Sequence, residues 1–127
     1  MFSARIENRG DSRAFATTRH GEFVIDTEGG GSNPIDTLLA SLAGCINHQL
    51  CDYFRADKIE NKGFGIKAEG QLMEDGSRLS EISLEIDLRA LSNWQIDKVL
   101  AYVEACKIRQ TLGDRIKLDV SVIGWEG

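Results

Sequence analysis

The stretch NPIDTLLASLAGC, which runs from Asn33 to Cys45, predicts the start of a long helix. Asn33 suits the N-cap and Pro34 the first helical position, because neither needs an intrahelical hydrogen bond there. Asp36 at the third position places a carboxylate beside the free N–H groups of the first turn. We therefore expect the helix to begin at Pro34.

Apolar residues continue this helix at the spacing of one buried face. They are Ile35, Leu38, Leu39, Leu42, Ala43, Ile46, Leu50, Tyr53 and Phe54. Small residues surround Cys45 at positions 40, 41, 43 and 44, so another element can approach the helix closely. The pattern places a thiol in the middle of the helix, next to its buried face.

Length and charge limit the protein to a few classes. The 127 residues predict a single domain, residues 1–127, with 28% charged residues and a net charge of −5. The acidic balance argues against a nucleic-acid partner, and no apolar run is long enough to cross a membrane. The N-terminus lacks a signal-peptide layout, so we expect a cytoplasmic location.

Three short strands are predicted before the helix. Residues 2–8 and 13–19 form a first hairpin, and residues 22–26 form a third strand. The glycines at 29–31 predict a flexible connection, since the Lys and Ser/Thr of a phosphate-binding loop are missing.

Two strands, a helix and a last strand are predicted after the first helix. Alternating apolar residues mark strands over 64–72 and 82–88, joined by a turn at 74–77. Ser92 with Gln95 three residues later resembles a capping box, so a helix is expected from Ser92 towards Gly113. With a closing strand over 116–122, the order indicates an α+β fold of mostly antiparallel sheet, with helices on one side.

The cysteines are the candidate chemical groups. Cys45 and Cys106 both fall on the core side of a predicted helix, so packing of the two helices could bring them within disulfide range. Spacing alone favours the simpler alternative, in which both are buried packing residues. A reactive thiol needs a nearby cation, and the candidates are Arg9, Arg13, Arg19 and His48.

A metal site is a weaker alternative. Cys45, His48 and Asp52 share a helical face and Cys106 could join them as ligands for zinc. Asp52, however, lies about 10 Å along the axis from Cys45, too far to share one ion. We therefore expect no metal and no cofactor.

The stretch GGGSNPIDTLLASLAGC, residues 29–45, resembles the OsmC/Ohr superfamily of osmotically inducible and organic hydroperoxide resistance proteins, in its OsmC-like branch. In that family an Asn-Pro opens the central helix and the first cysteine follows the proline by eleven residues, as Cys45 follows Pro34. The second family cysteine lies on the second long helix, as Cys106 is expected to do. The resemblance extends over essentially the whole chain and implies one OsmC-like domain.

The resemblance implies a thiol peroxidase that acts in oxidative stress defence. Cys45 would attack a small organic hydroperoxide and Cys106 would resolve the sulfenic acid as a disulfide. A dithiol reductant, such as a lipoyl group, would restore both thiols. The family also implies an intertwined homodimer, whose two central helices lie back to back.

Two positions differ from the family pattern, and the family's arginine has two candidates here. The glutamate that follows the proline in Ohr proteins is Ile35 here, and Asp36 either replaces it or only caps the helix. The family's activating arginine corresponds to Arg9 or Arg19. The Cys-Pro that often marks the second site is Cys106-Lys107, and Lys107 either helps hold a thiolate or points to solvent.

Two other functions stay open. One is a non-catalytic binding protein with an apolar ligand in the dimer cleft and two buried packing cysteines. The other is a general thiol-disulfide exchange enzyme. The paired cysteines favour the peroxidase, whereas the displaced acid at Asp36 favours these alternatives.

Overall fold

The central helix begins where the sequence predicts. The computed structural model describes residues 1–124, and α1 spans Pro34–Ala56. The Ile35 N–H donates to the Asn33 side-chain oxygen at 2.8 Å, and the Thr37 N–H donates to the Asn33 carbonyl at 2.9 Å. These bonds confirm Asn33 as the N-cap.

The chain divides into two compact units, residues 1–38 and the residues from Leu39 onward. The first unit contains three antiparallel strands in the order β1-β2-β3, which confirms the predicted hairpin and third strand. The strands are β1 (Ala4–Asn8), β2 (Ala14–Thr18) and β3 (Glu22–Ile25). The single domain over residues 1–127 stays a prediction.

The glycines after β3 form a tight turn rather than a flexible connection. The buried Asp26 carboxylate accepts hydrogen bonds from the N–H groups of Glu28 at 3.0 Å and Gly30 at 2.9 Å. At Gly31, an added Cβ would lie 2.5 Å from the Val24 carbonyl oxygen. Glycine is therefore required by close backbone approach, and the turn leads the chain into α1.

The second unit contains the rest of α1, three strands and two short helices. Its strands are β4 (Gly65–Leu72), β5 (Leu79–Asp87) and β6 (Lys117–Ile123), and its further helices are α2 (Ile96–Glu104) and α3 (Lys107–Leu112). β4 pairs antiparallel and β6 parallel with β5. The parallel pair follows from the two helices that connect β5 to β6. The α+β prediction of mostly antiparallel pairing is confirmed, although the strands form two sheets.

The second helix differs from its prediction at both ends. It begins at Ile96, because Asn93 adopts a positive φ of 67° and the Gln95 N–H donates to the Tyr53 hydroxyl at 2.9 Å. The predicted capping box is therefore wrong, and no side chain caps α2. The helix also ends at Glu104, well before Gly113, and a separate helix α3 follows Cys106.

The core of the second unit uses the predicted apolar faces. Its buried members include Leu39, Leu42, Ile46, Leu50, Tyr53 and Phe54 on α1, Ile82, Leu84 and Ile86 on β5, and Val99 and Val103 on α2. Ile35 and Leu100, which the periodicity also assigned to buried faces, are exposed. Within residues 1–124, no helix has both the length and the apolar character needed to cross a bilayer.

We expect Gly31→Ala to lower the free energy of unfolding by about 1–3 kcal/mol, because the new methyl group would overlap the Val24 carbonyl. Urea denaturation measures the loss. Gly21→Ala is the matched control, since its Cβ would lie 3.9 Å from the nearest atom. Equal unfolding midpoints for the two variants would contradict the tight turn.

Candidate active site

Cys45 lies in the middle of α1, at the border of its buried face. Leu42 and Ile46 are fully buried, whereas Gly44 is exposed. Its thiol is half-buried, whereas the Cys106 side chain is fully buried. Both thiols are free and they contact each other where α2 ends and α3 begins. The structure therefore brings together the two cysteines that the spacing predicted could meet.

The break between α2 and α3 is centred on Cys106. The Ala105 N–H donates to the carbonyl four residues earlier, that of Ala101, at 3.2 Å. The Cys106 N–H donates to the carbonyl only three residues earlier, that of Val103, at 3.1 Å. Cys106 then turns to an extended conformation, with φ −59° and ψ 126°. As a result, α3 starts afresh at Lys107, and its first N–H groups have no carbonyl partner within the helix.

These free N–H groups act on Cys45. Burial raises the pKa of the Cys45 thiol, but hydrogen bonding from the Cys106 thiol and from the N–H groups of Ile108 and Lys107 outweighs it. The positive charge of Lys107 adds to the effect, so the pKa of Cys45 lies below its ordinary value. A low pKa is the property that makes a cysteine reactive.

Cys106 has the opposite tendency. Burial raises the pKa of the Cys106 thiol, and hydrogen bonding with Cys45 raises it further. The N–H groups of Arg109 and Ile108 oppose this rise only in part, and no side-chain hydrogen bond caps α3. The two opposite shifts make Cys45 the more readily deprotonated thiol of the pair.

Two other polar groups of α1 have different partners. His48 is largely exposed, and its Nε2 lies 3.4 Å from the Asp52 carboxylate. The Cys51 sulfur lies 4.0 Å from the Asn61 side-chain nitrogen. Among residues 1–124, no three His, Cys, Asp or Glu side chains are placed to hold a metal ion.

The N-terminal arginines have partners within their own unit. Arg9 bonds to the Glu7 carboxylate at 3.0 Å, and its guanidinium lies 3.9 Å from the centre of the Phe15 ring. Arg19 lies over the Phe2 ring at 4.7 Å. Asp36 is an exposed acid in the first turn of α1, where it faces the positive end of the helix dipole.

A family model described as OsmC-like protein matches residues 27–121, which is most of the chain and includes both thiols. The chain belongs to the OsmC-like protein family. No curated protein sequence matches it.

Solved structures share the OsmC-like fold over nearly the full length of the chain. An OsmC-like protein from Mycoplasma pneumoniae is 20% identical with a TM-score of 0.80, and the match covers 96% of this chain and 95% of that one. An organic hydroperoxide resistance protein OsmC from Legionella pneumophila is 20% identical with a TM-score of 0.69, covering 96% of both chains. A putative osmotic stress induced and detoxification response protein from Psychrobacter arcticus is 19% identical with a TM-score of 0.82, covering 96% of both chains.

The sequence did not reveal the backbone N–H groups that face Cys45 in this OsmC-like chain. They exist because the helix breaks at Cys106, and no glycine or proline marks that break. Only Lys107, next to the second cysteine, pointed to the same place. A proline at 107 would have signalled a helix start, but it would have removed one of the N–H donors.

Two replacements of Lys107 distinguish the effect of its charge on the Cys45 pKa from the effect of its backbone N–H group. We expect Lys107→Met to lower the rate of Cys45 alkylation at pH 7 about two- to fivefold, because the thiolate loses a positive neighbour. Lys107→Pro should lower it further, because it also removes the N–H group. Both changes raise the pKa of Cys45, so the midpoint of the rate against pH should move upwards.

Iodoacetamide labelling followed by mass spectrometry of the Cys45 peptide measures this rate. The matched control is Lys117→Met, because Lys117 lies on β6 near the Asp119 carboxylate. An unchanged alkylation profile in Lys107→Pro would show that α3 does not activate Cys45.

Proposed function

We propose that this OsmC-like protein reduces organic hydroperoxides with Cys45 as the nucleophile and Cys106 as the resolving thiol. The observation that carries the proposal is the contact between a thiol of lowered pKa and a buried thiol of raised pKa. Structural neighbours called organic hydroperoxide resistance proteins, including OhrB of Bacillus subtilis at 19% identity, support this choice of substrate. Defence against oxidative stress is the role that fits such a reaction.

The first step oxidises Cys45. Its thiolate attacks the terminal oxygen of the hydroperoxide, so a sulfur–oxygen bond forms as the oxygen–oxygen bond breaks. The alkoxide that leaves takes up a proton and becomes an alcohol. Cys45 is left as a sulfenic acid.

The second step oxidises Cys106. Its sulfur attacks the sulfenic sulfur, a disulfide forms, and the hydroxide that leaves combines with the Cys106 proton as water. A dithiol reductant, such as a lipoyl-type group, then restores both thiols while it becomes a disulfide itself. The disulfide would join two thiols whose mutual hydrogen bonding already shifts both pKa values.

The activating arginine and the acid belong to the proposal as well. Arg9 or Arg19 is the proposed activating arginine, and Asp36 is the proposed substitute for the family glutamate of Ohr proteins. The Glu7 contact of Arg9 would have to break for this, since it occupies the guanidinium. Arg19 contacts an aromatic ring instead, and no carboxylate takes part in that contact.

A homodimer is part of the same proposal. One face of α1 exposes small and polar residues at 40, 41, 44, 47 and 48. An added Cβ at Gly44 would meet no atom within 4 Å, so a second helix has room to pack there. Two copies of α1 lying back to back would cover this face.

One equivalent of tert-butyl hydroperoxide should remove two thiols from the parent protein and lower its mass by about two units. Cys45→Ser should keep its remaining thiols at that rate, because the nucleophile is absent. Cys106→Ser should gain the mass of about one oxygen, because the sulfenic acid has no resolving thiol. Thiol counting and intact-mass measurement report these outcomes.

Cys51→Ser is the matched control, and it should react as fast as the parent. If Cys45 and Cys106 stay reduced with hydroperoxide, the peroxidase proposal is wrong. Oxidation by glutathione disulfide in the same samples would then favour a thiol-disulfide exchange enzyme.

A further inference from the structure

Two glutamine side chains bond to the backbone at the break between α2 and α3. The Gln110 amide donates to the Glu104 carbonyl at 2.7 Å, and the Gln49 amide donates to the Ala105 carbonyl at 3.4 Å. Both acceptors belong to the end of α2, where carbonyls lack partners within the helix. We call these two side chains the carboxamide latch.

Gln110 joins the two sides of Cys106. Its side chain bonds to Glu104 before the cysteine, and its backbone N–H donates to the Cys106 carbonyl at 3.0 Å. One residue thus fixes the end of α2 relative to the first turn of α3. The extended conformation of Cys106 lies between these two bonds.

Gln49 joins the break to the helix that carries the other thiol. It follows Cys45 by four residues, so the two side chains lie one above the other on the same face of α1. Cys45 meets the N–H groups of Lys107 and Ile108, and Gln49 meets the Ala105 carbonyl immediately before Cys106. The bond from Gln49 therefore sets the position of the break along α1.

We propose that Gln49 and Gln110 are positioning residues that hold the α2–α3 break against α1, so that Cys106 and the N–H groups of α3 stay in contact with Cys45. Neither side chain needs to touch a substrate for this role. The physical effect is preorganisation: the two sulfurs are already close before a disulfide forms, so closure requires less ordering of the chain. The physiological meaning of the disulfide rests on the proposed peroxidase function, but the positioning role does not.

Gln49→Met and Gln110→Met test the latch, because methionine keeps the length of the side chain without a charge and without an N–H donor. The background carries Cys51→Ser, which leaves only the two thiols of the pair. The equilibrium constant for disulfide formation is measured in mixtures of reduced and oxidised glutathione. Each change should lower this constant about fivefold, the usual effect of one lost hydrogen bond.

A second readout separates positioning from stability. Both methionine variants should raise the pH midpoint of Cys45 alkylation, because the N–H groups of α3 move away from the sulfur. Gln71→Met is the matched control, since Gln71 is exposed on β4, and it should change neither measurement. Both amides hold the same break, so their contributions are coupled. The double variant should therefore lower the equilibrium constant by less than the product of the two single fold-changes.

The outcomes distinguish this inference from the proposed function. Unchanged constants and midpoints in both methionine variants would overturn the latch, even if the protein reduces hydroperoxides. A lower urea midpoint alone, with the thiol measurements unchanged, would also overturn it by showing a merely structural role. If the methionine variants change the equilibrium constant for disulfide formation, but hydroperoxide does not oxidise the parent protein, the carboxamide latch is supported and the peroxidase proposal is rejected.

Discussion

The lowered pKa of Cys45 depends on hydrogen bonding from the Cys106 thiol and from the first N–H groups of α3. A sulfur inside a helix next to a hydrophobic core would ordinarily be an inert thiol, because burial disfavours the thiolate. Here Lys107 and Ile108 supply N–H donors that no helix carbonyl uses, and Lys107 adds a charge. The donors exist only because the chain breaks its helix at Cys106, so one backbone irregularity both places the second thiol and activates the first.

The same contact divides the roles of the two cysteines. Cys45 is half-buried and has the lowered pKa, which suits it to the proposed role of nucleophile. Cys106 is fully buried and has the raised pKa, which suits it to the proposed role of resolving thiol. In such an arrangement a sulfenic acid on the first sulfur would meet a thiol that is already in contact. Disulfide formation would therefore compete well with over-oxidation of the first sulfur.

Much of the fold follows from local sequence signals, but the activating groups do not. Asn33 and Pro34 marked the start of α1 because capping is a local property, and alternation marked β4, β5 and β6. The break at Cys106 lies among residues that favour a continuing helix, since Ala105 and Lys107 are good helix formers. The late start of α2 depends on a hydrogen bond between Gln95 and Tyr53, which are far apart in the chain. The ordered turn at Gly31 depends on an approach to Val24 that composition does not reveal.

The central claim is that Cys45 and Cys106 of one chain form a redox pair that excludes Cys51. Peptide mapping after oxidation with tert-butyl hydroperoxide tests this pairing, using equal amounts of isotopically labelled and unlabelled protein that have been unfolded, mixed and refolded together. We expect one disulfide, between the Cys45 and Cys106 peptides, with both peptides of each linked pair carrying the same isotope and Cys51 still reduced. A disulfide to Cys51, a pair of mixed isotopes, or an over-oxidised Cys45 beside a reduced Cys106 would contradict it.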